Sequence, residues 1–471
     1  MKKILIINRG EIAIRIAKAI NELGHISVGV WTNNEPNAGH LEYCKQWLLL
    51  EGISNTETYL NQDKIIQLAK DNNIDAIHPG YGFLAENSEF VTKLEKEGII
   101  FIGPHAKAIE FMGDKAVSKK MANEAGVPTV PGSLGEVTKQ EALDICDEIG
   151  FPVLLKAVAG GGGKGMRVCL DKDELDKNYE AVKREALSSF GNDGVILEKY
   201  ILNPHHIEVQ VLGDSKGNIY HLYERECSIQ RRHQKVLEEA PSPFIGEDEE
   251  LRKRVCETAL KLARAVEYNS AGTIELIMDD DKSFFFLEMN TRIQVEHPIT
   301  EEITGVDLVA NMIKSALGEE LDIKSQEEIK INGHAIECRI CAEDPVTMLP
   351  APGKVEGFDY VFPQGIRFDH CVYPGIEITP DFDPMIGKLV AFGINRDVAI
   401  RKVRSALSGL FIEGMKTNIA LHREILKEEN FLRGIYSTKY LEEYSPQEKL
   451  VVEDNQLDEQ TVLSYLLGGV V

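Results

Sequence analysis

The chain has 471 residues, which is too long for one compact core and predicts about three domains of ordinary size. Its 43% hydrophobic and 27% charged residues are typical of a globular protein. A net charge of -24 argues against general binding to nucleic acid or to an anionic membrane. The apolar run 4–7 is broken by Asn8 and Arg9, so it predicts neither a signal peptide nor a membrane span, and we expect a cytoplasmic protein.

Residues 1–113 alternate between strand and helix patterns. Strands are predicted over 3–8, 27–31, 76–78 and 99–102, and helices over 11–23, 62–71 and 87–97. This alternation predicts a doubly wound, Rossmann-like α/β domain. The turn after the first strand lacks the three-glycine dinucleotide fingerprint, which disfavours a nicotinamide dehydrogenase. The loop 78–83, HPGYGF, follows a strand where open sheets bind ligands, and a plain Pro-Gly turn is an equal alternative.

A second region, about 114–320, contains a glycine-rich segment between two predicted strands, 151–156 and 166–170. Residues 160–165 read GGGGKG. A strand follows them, which excludes a Rossmann turn, and Gly165 stands where a P-loop needs Ser or Thr. Glycines let backbone N–H groups approach phosphate oxygens closely, and Lys156 and Lys164 flank the segment. We therefore expect a phosphate-binding lid over about 131–203, and the alternative is an unspecialised hairpin tip.

Polar side chains alternate along residues 288–296. In an extended backbone one face would carry Glu288, Asn290, Arg292, Gln294 and Glu296. A solvated strand face is the simple alternative, but the preceding apolar run 284–287 argues against it. Fully extended, these residues would span roughly 26 Å, which is too long for one small-molecule site. We therefore expect a bend after Asn290 that separates a metal end from an end for a small anion of about the size of bicarbonate.

Two predicted strands, 273–278 and 283–290, flank the acidic turn 279–282. A regular hairpin with this four-residue turn would pair Glu275 with Phe286 and place Glu288 diagonally on the same face. The two carboxylates would repel each other, and a magnesium ion between them would relieve the repulsion. One residue more in the turn would put the two carboxylates on opposite faces.

A basic cluster lies at 225–235, in a chain that is acidic overall. Its members are Arg225, Arg231, Arg232, His233 and Lys235. Such a cluster suits a local anion site, although a solvated charge run is the alternative. A third region, 331–446, is rich in strands first and in helices later. The tail 447–471 is predicted to be a frayed end.

Several long motifs in this order resemble those of the biotin carboxylase family. They are HPGYGF at 78–83, MGDK at 112–115, RRHQK at 231–235 and EMNTRIQVEHP at 288–298. The resemblance covers residues 3–444. It implies a mixed α/β and α+β architecture: a Rossmann-like N-terminal (pre-ATP-grasp) domain, an ATP-grasp domain with a glycine-rich lid, and a C-terminal biotin carboxylase domain.

The resemblance also implies the reaction and its participants. An ATP-dependent ligase would activate bicarbonate as carboxyphosphate and carboxylate biotin on a separate biotin carboxyl carrier protein. The implied cofactors and partners are ATP, two Mg²⁺ or Mn²⁺ ions, a second copy of the chain in a homodimer, and a carboxyltransferase. The final acceptor could be acetyl-CoA, or pyruvate or another 2-oxoacid, and the extension past Tyr444 slightly favours the 2-oxoacid class.

Roles carry over residue by residue from the resemblance. The implied ATP and phosphate ligands are Lys115, Lys156, Gly162, Gly163, His206, Gln230 and His233, and the implied adenine-binding connection is Glu198, Lys199, Tyr200 and Ile201. The implied metal ligands are Glu275, Glu288 and Asn290. The implied bicarbonate pocket is Lys235, Arg292, Gln294 and Val295, with Glu296 as general base and Arg339 beside the biotin enolate.

The departures from the family pattern are Ala159, Lys164 and Cys341, and none of them removes a catalytic group. Met415-Lys416 is flanked wrongly for a biotin-acceptor site, so biotin is expected on another protein. The alternatives are a different ATP-grasp carboxylate ligase and a non-catalytic ATP-binding subunit. The row Arg292, Gln294 and Glu296 together with Arg339 disfavours the first. The presence of Glu275, Glu288, Arg292 and Glu296 disfavours the second.

Overall fold

The computed structural model describes residues 1–133, 135–158, 166–190, 192–446 and 449–450. Residues 1–113 contain strands β1 Lys3–Ile6, β2 Ile26–Trp31, β3 Gln46–Leu49, β4 Ala76–His78 and β5 Ile100–Phe101, and helices α1 Gly10–Glu22, α2 Gln62–Asp71, α3 Ser88–Lys96 and α4 Ala106–Gly113. The strands form one parallel sheet in the order β3-β2-β1-β4-β5. This arrangement confirms the predicted doubly wound fold. The edge strand β3 was not predicted, because its side chains are partly exposed and lack a clear buried face.

The predicted lid contains a small antiparallel sheet covered by helices. Its elements are β6 Val153–Ala157, β7 Met166–Cys169 and β8 Val195–Lys199, with α5 Lys115–Glu124 preceding them and α6 Lys139–Ile149 and α7 Lys172–Phe190 packing nearby. The strand order is β7-β6-β8. The two strands predicted beside the glycines are confirmed. Gly162 and Gly163 themselves lie outside the described residues.

Five further strands and three helices complete the predicted second region. They are β9 His205–Gly213, β10 Ile219–Arg231, β11 Gln234–Ala240, β12 Ala271–Met278, β13 Phe284–Asn290, α8 Glu249–Ala265, α9 His297–Thr304 and α10 Leu308–Ala316. Alternate residues of β9 and β12 are aliphatic and pack on α8, where Ile207, Val209, Ile274 and Leu276 are fully buried.

The third region begins with strands and ends with helices, as predicted. Its elements are β14 His334–Cys341, β15 Gly353–Lys354, β16 Gly357–Tyr360, β17 Ile366–His370, β18 Glu377–Ile378, β19 Met385–Gly393, β20 Leu410–Glu413, α11 Arg396–Ser408, α12 Ile419–Ile425, α13 Glu429–Arg433 and α14 Tyr440–Tyr444. Of the tail 447–471, only residues 449–450 belong to the described chain. Among the described helices, none combines the length and the apolar character needed to traverse a bilayer.

One large antiparallel sheet joins the second and third regions. Its order is β13-β12-β9-β10-β11-β14-β19-β17. The join is the pairing of β11 with β14, which places Leu237 opposite Cys338. Helix α9 packs against β10, β11, β14 and β19. Because α9 directly follows the polar segment 288–296, this packing brings that segment against the middle of the sheet.

Candidate active site

The hairpin β12–β13 places two glutamates directly opposite each other. Glu275 pairs with Glu288, and the predicted pairing of Glu275 with Phe286 is wrong, because Phe286 pairs with Leu276. The turn is one residue longer than predicted, since Met278 pairs with Phe284. A bulge beside Glu275 then leaves one extra residue on β13. The two one-residue shifts add to two, which restores the side-chain alternation and returns both carboxylates to one face.

The three predicted metal ligands meet at this end of the site. Asn290 Nδ2 donates to Glu275 Oε1 at 2.9 Å. Partial burial raises the pKa of Glu288, and the charge of Glu275 raises it further. Burial would also raise the pKa of Glu275, but Lys235 and His206 hold it below its ordinary value. Two carboxylates and an amide side by side offer the oxygen ligands that fit a magnesium ion.

Lys235 joins three carboxylates at the centre of the site. Its Nζ lies 2.5 Å from Glu208 Oε2, 2.9 Å from Glu275 Oε1 and 2.6 Å from Glu296 Oε1. Burial alone would lower the pKa of Lys235, yet these three charges raise it well above its ordinary value. Lys235 is therefore a fixed positive charge between the metal end and the anion end.

The chain leaves the strand at Asn290, which confirms the predicted bend. Beyond it, Arg292 Nη2 donates to Asn290 Oδ1 at 2.8 Å, and Gln294 Nε2 donates to Glu275 Oε1 at 2.8 Å. The other side of the Arg292 guanidinium is held from the first region, because its Nε donates to Glu86 Oε2 at 2.9 Å. A guanidinium and an amide are thus presented side by side.

Glu296 is the N-cap residue of α9, and two cations hold it. Besides Lys235, Arg339 Nη2 donates to Glu296 Oε2 at 2.9 Å. Burial would raise the pKa of Glu296, but Lys235, Arg339 and Arg225 depress it well below its ordinary value. The carboxylate is therefore ionised.

The predicted residues divide into two groups by location. One cavity of about 320 Å³ is lined by eleven of them: His206, His233, Lys235, Glu275, Glu288, Asn290, Arg292, Gln294, Val295, Glu296 and Arg339. The lining does not include Lys115, Lys156, Glu198, Lys199, Tyr200, Ile201 or Gln230.

The second group surrounds the lid and its connection to β9. Lys156 and Lys119 both form ion pairs with Glu198, the latter at 3.1 Å. Lys199 Nζ donates to the Phe151 carbonyl at 2.9 Å. Gln230 Nε2 lies 3.3 Å from His206 Nδ1, which links this group to the cavity.

Several buried charged residues lie behind the cavity. The sequence placed Arg225 in the basic cluster 225–235 but did not single out Glu208 or Glu238. Arg225 is fully buried, and its Nη2 donates to Gln294 Oε1 at 2.7 Å. Its Nε donates to Glu208 Oε1 at 2.5 Å. Glu238 accepts a bond from Arg339 Nε at 2.6 Å. The signal for Glu208 was available, since polar side chains alternate along β9 as they do along 288–296.

Three family models match successive parts of the chain. The biotin carboxylase N-terminal domain matches residues 1–109, and the carbamoyl-phosphate synthase L chain ATP-binding domain matches residues 114–324. The biotin carboxylase C-terminal domain matches residues 337–443. The chain belongs to the biotin carboxylase family. The family and the class of ATP-dependent ligase predicted from the motifs are thereby confirmed.

Three relatives of this biotin carboxylase family member match it over nearly their whole lengths. A biotin carboxylase of Pseudomonas aeruginosa is 46% identical over 94% of this chain and 98% of its own. A pyruvate carboxylase subunit of Methanothermobacter thermautotrophicus is 47% identical over 98% of this chain and 95% of its own. The biotin carboxylase domain dimer of Hydrogenobacter thermophilus 2-oxoglutarate carboxylase, solved with MgADP, ADP and bicarbonate, has a TM-score of 0.86 and 48% identity, covering 95% of this chain and 98% of that one.

Proposed function

We propose that this chain carboxylates biotin, carried on a separate biotin carboxyl carrier protein, with ATP and bicarbonate through carboxyphosphate. The observation that carries the proposal is Glu296, a buried and ionised carboxylate held by Lys235 and Arg339. It lies in one cavity with Arg292 and Gln294. A base, a guanidinium and an amide are the groups that a bound bicarbonate needs.

The first step is the activation of bicarbonate. Arg292 and Gln294 hold the anion, and Glu296 removes its proton as an oxygen attacks the γ-phosphorus of ATP. The bond to the ADP oxygen breaks, which gives carboxyphosphate and ADP. Magnesium, held by Glu275, Glu288 and Asn290, would supply charge stabilisation to the phosphates.

In the second step the bond between the carbon and the phosphate oxygen of carboxyphosphate breaks, which gives CO2 and phosphate. The phosphate takes the N1′ proton of biotin, and the N1′ electron pair forms the new bond to CO2. A guanidinium does not lose its proton, so Arg339 can stabilise the oxyanion of the biotin enolate. Arg339 already has two donors engaged, Nε with Glu238 and Nη2 with Glu296, which fixes the plane of the guanidinium. The residues proposed around ATP are the second group, Lys115, Lys156, Glu198, Lys199, Tyr200, Ile201 and Gln230, together with His206 and His233 from the cavity and with Gly162 and Gly163, which lie outside the described residues.

The test of the function is ATP hydrolysis measured with and without bicarbonate and free biotin. We expect turnover to require both, and we expect Glu296→Gln to lower kcat by about 10²–10⁴-fold through loss of the base. The matched control is Glu250→Gln, an exposed glutamate in the first turn of α8, which should keep the parent kcat. Equal turnover without bicarbonate, or an unimpaired Glu296→Gln variant, contradicts the proposal.

We also propose that the acceptor belongs to the 2-oxoacid class. The match to the Methanothermobacter pyruvate carboxylase subunit extends over 98% of this chain, whereas the match to the Pseudomonas biotin carboxylase extends over 94%. The proposed partners are a biotin carboxyl carrier protein and a carboxyltransferase specific for a 2-oxoacid. Purification of the complex and assay of its carboxyltransferase with pyruvate and with acetyl-CoA test this choice, and activity with acetyl-CoA alone contradicts it.

A homodimer is proposed through an aromatic face beside β17. The rings of Phe358, Tyr360, Phe362 and Phe368 contact one another, and the neighbouring Val361 is 73% exposed. β17 is the last strand of the large sheet, so its outer edge has no partner strand within the described chain. A self-complementary contact of this kind is typical of a twofold dimer. The eight free cysteines are consistent with the proposed cytoplasmic location.

A further inference from the structure

Two buried glutamates lie behind Arg339, and the proposed mechanism does not use Glu337, the second of them. Glu238 on β11 is directly opposite Glu337 on β14. Residues paired in this way project to the same face with Cβ atoms about 4.5–5.5 Å apart. Both side chains are 0% exposed. Arg339 lies two residues beyond Glu337 on the same strand, so it shares their face.

The hydrogen bonds of these carboxyl groups are incomplete. Glu238 Oε1 accepts from Arg339 Nε at 2.6 Å. Glu238 Oε2 and both carboxyl oxygens of Glu337 have no hydrogen-bond partner among the described residues. Two ionised carboxylates in this position would repel each other without solvent to screen them. A single proton carried by Glu337 and donated to Glu238 gives one oxygen of each carboxyl group a hydrogen bond. It also removes one of the two negative charges.

The surrounding charges support a pair with one proton. The charges that face it are Arg339 on β14, Lys388 on β19, Glu296 at the start of α9 and Lys235 on β11. Lys388 is already engaged, since its Nζ lies 3.1 Å from Glu11 Oε2 and donates to the Val295 carbonyl at 2.9 Å. On α9, burial keeps the pKa of His297 well below its ordinary value. No cation near the pair is therefore left to neutralise a second carboxylate among the residues described.

The titration of the pair follows from burial. Burial raises the pKa of Glu337 well above its ordinary value, although Lys388 opposes the shift. Burial raises the pKa of Glu238 to about 7, although Arg339 opposes the shift. The pair therefore holds one proton above about pH 7 and gains a second as the pH falls through that value.

We propose that Glu337 keeps its proton and donates it to Glu238, and that this singly charged pair positions Arg339 for the reaction. The inference rests on the proposed function, in which Arg339 acts on the biotin enolate. With Glu238 ionised, the guanidinium is held at Nε by Glu238 and at Nη2 by Glu296. When Glu238 takes a proton, Glu296 is the only one of the two carboxylates that still carries a charge. It alone then holds the plane of the Arg339 guanidinium. kcat should therefore fall on the acid side of about pH 7.

The test is the pH profile of kcat and of KM for free biotin in matched variants. Glu337→Gln should keep kcat within about threefold of the wild-type value. It should also keep the acid limb, the fall of kcat at low pH, because its amide N–H still donates to Glu238. Glu337→Leu removes that donor and should move the limb up by about one pH unit. Glu238→Gln should lower kcat about tenfold at every pH and abolish the limb.

Glu239 provides the control for a purely structural effect. It is the next residue on β11, it is also fully buried, and it binds His334 at 2.5 Å, Arg396 at 2.7 Å and Tyr436 at 2.5 Å, away from Arg339. Glu239→Gln should lower thermal stability without moving the acid limb. A limb that stays in place in Glu337→Leu, or that moves equally in Glu337→Gln, overturns the proposal.

An infrared measurement makes the inference independent of turnover. At about pH 8 the wild-type protein should show the C=O stretching band of a buried protonated carboxyl group, and Glu337→Gln should lack it. Absence of this band in the wild type overturns the shared proton. A wild-type protein that has the band but no bicarbonate-dependent turnover contradicts the proposed function instead.

Discussion

Replacement of Glu288 by Gln should stabilise the metal-free protein and remove its response to magnesium. The reason is the direct pairing of Glu288 with Glu275 across the hairpin. Residues paired in this way have Cβ atoms about 4.5–5.5 Å apart, and like charges at that distance repel. The raised pKa of Glu288, caused first by partial burial and then by Glu275, is a sign of the same repulsion.

The magnitude follows from Coulomb's law. Two unit charges about 5 Å apart repel by about 0.8 kcal/mol at the dielectric constant of water and by about 3 kcal/mol at an effective value of about 20. Glu288 reaches solvent at the open side of the cavity, so the lower end applies. We expect the free energy of unfolding of the metal-free variant to rise by about 1 kcal/mol. Saturating magnesium should stabilise the wild type by about 2–3 kcal/mol and the variant far less.

The assay is thermal denaturation in EDTA and in a magnesium series with ADP, with Glu250→Gln as the surface control. The pH supplies a second check. A carboxyl group with a raised pKa imposes its cost above that pKa, and the cost disappears as the pH falls through it. The advantage of Glu288→Gln in EDTA should therefore shrink toward acid pH. A variant that is less stable in EDTA yet responds normally to magnesium refutes the reasoning.

Two other predictions concern Lys388 and the aromatic face. Lys388→Met should lower the free energy of unfolding by about 3–5 kcal/mol, because it leaves the Glu11 carboxylate buried without its cation, with only the Tyr81 hydroxyl donating to it. In denaturant titrations, the loss of unfolding free energy in the double variant Lys388→Met, Glu11→Gln should be at least about 2 kcal/mol smaller than the sum of the losses in the two single variants. Losses that are strictly additive contradict the coupling between Lys388 and Glu11. Val361→Asp should convert the proposed dimer to monomers in analytical ultracentrifugation, whereas Ile53→Asp, at an exposed position in the first region, should not. An unchanged sedimentation coefficient for Val361→Asp would exclude this face as the interface.

The fold was predictable where side-chain periodicity was strong. Helix α2 has the predicted bounds, because its buried residues Ile65, Ile66 and Ala69 recur at helical spacing. Strand β4 also has them, because a short buried run is followed at once by the turn residues Pro79 and Gly80. The hairpin β12–β13 was predictable only in part. Its longer turn and its bulge depend on how β13 packs, and Leu287, which the bulge leaves unpaired, is as apolar as its buried neighbours in the sequence.

The site was predictable where one segment carried the residues, and less so where several strands did. Residues 288–296 are adjacent in the chain, and their alternation was sufficient to find them. Arg225, Glu208 and Glu238 come from three strands, and only the sheet order brings them behind the cavity. An arginine with 0% exposure has no signature of its own in a sequence, because arginine is usually a surface residue.

The position of Lys235 supports the proposal that the metal binds at one end of the cavity. His206, Glu208 and Glu275 lie close enough together to hold an ion by themselves. Lys235 Nζ, however, is 2.5 Å from Glu208 and 2.9 Å from Glu275, so an ammonium group already occupies the space between their carboxylates. A divalent cation there would face a fixed positive charge at contact distance. Among the described residues Glu288 forms no ion pair with a cation, and burial, followed by the charge of Glu275, raises its pKa. A metal is therefore drawn to the side of Glu275 that faces Glu288 and Asn290.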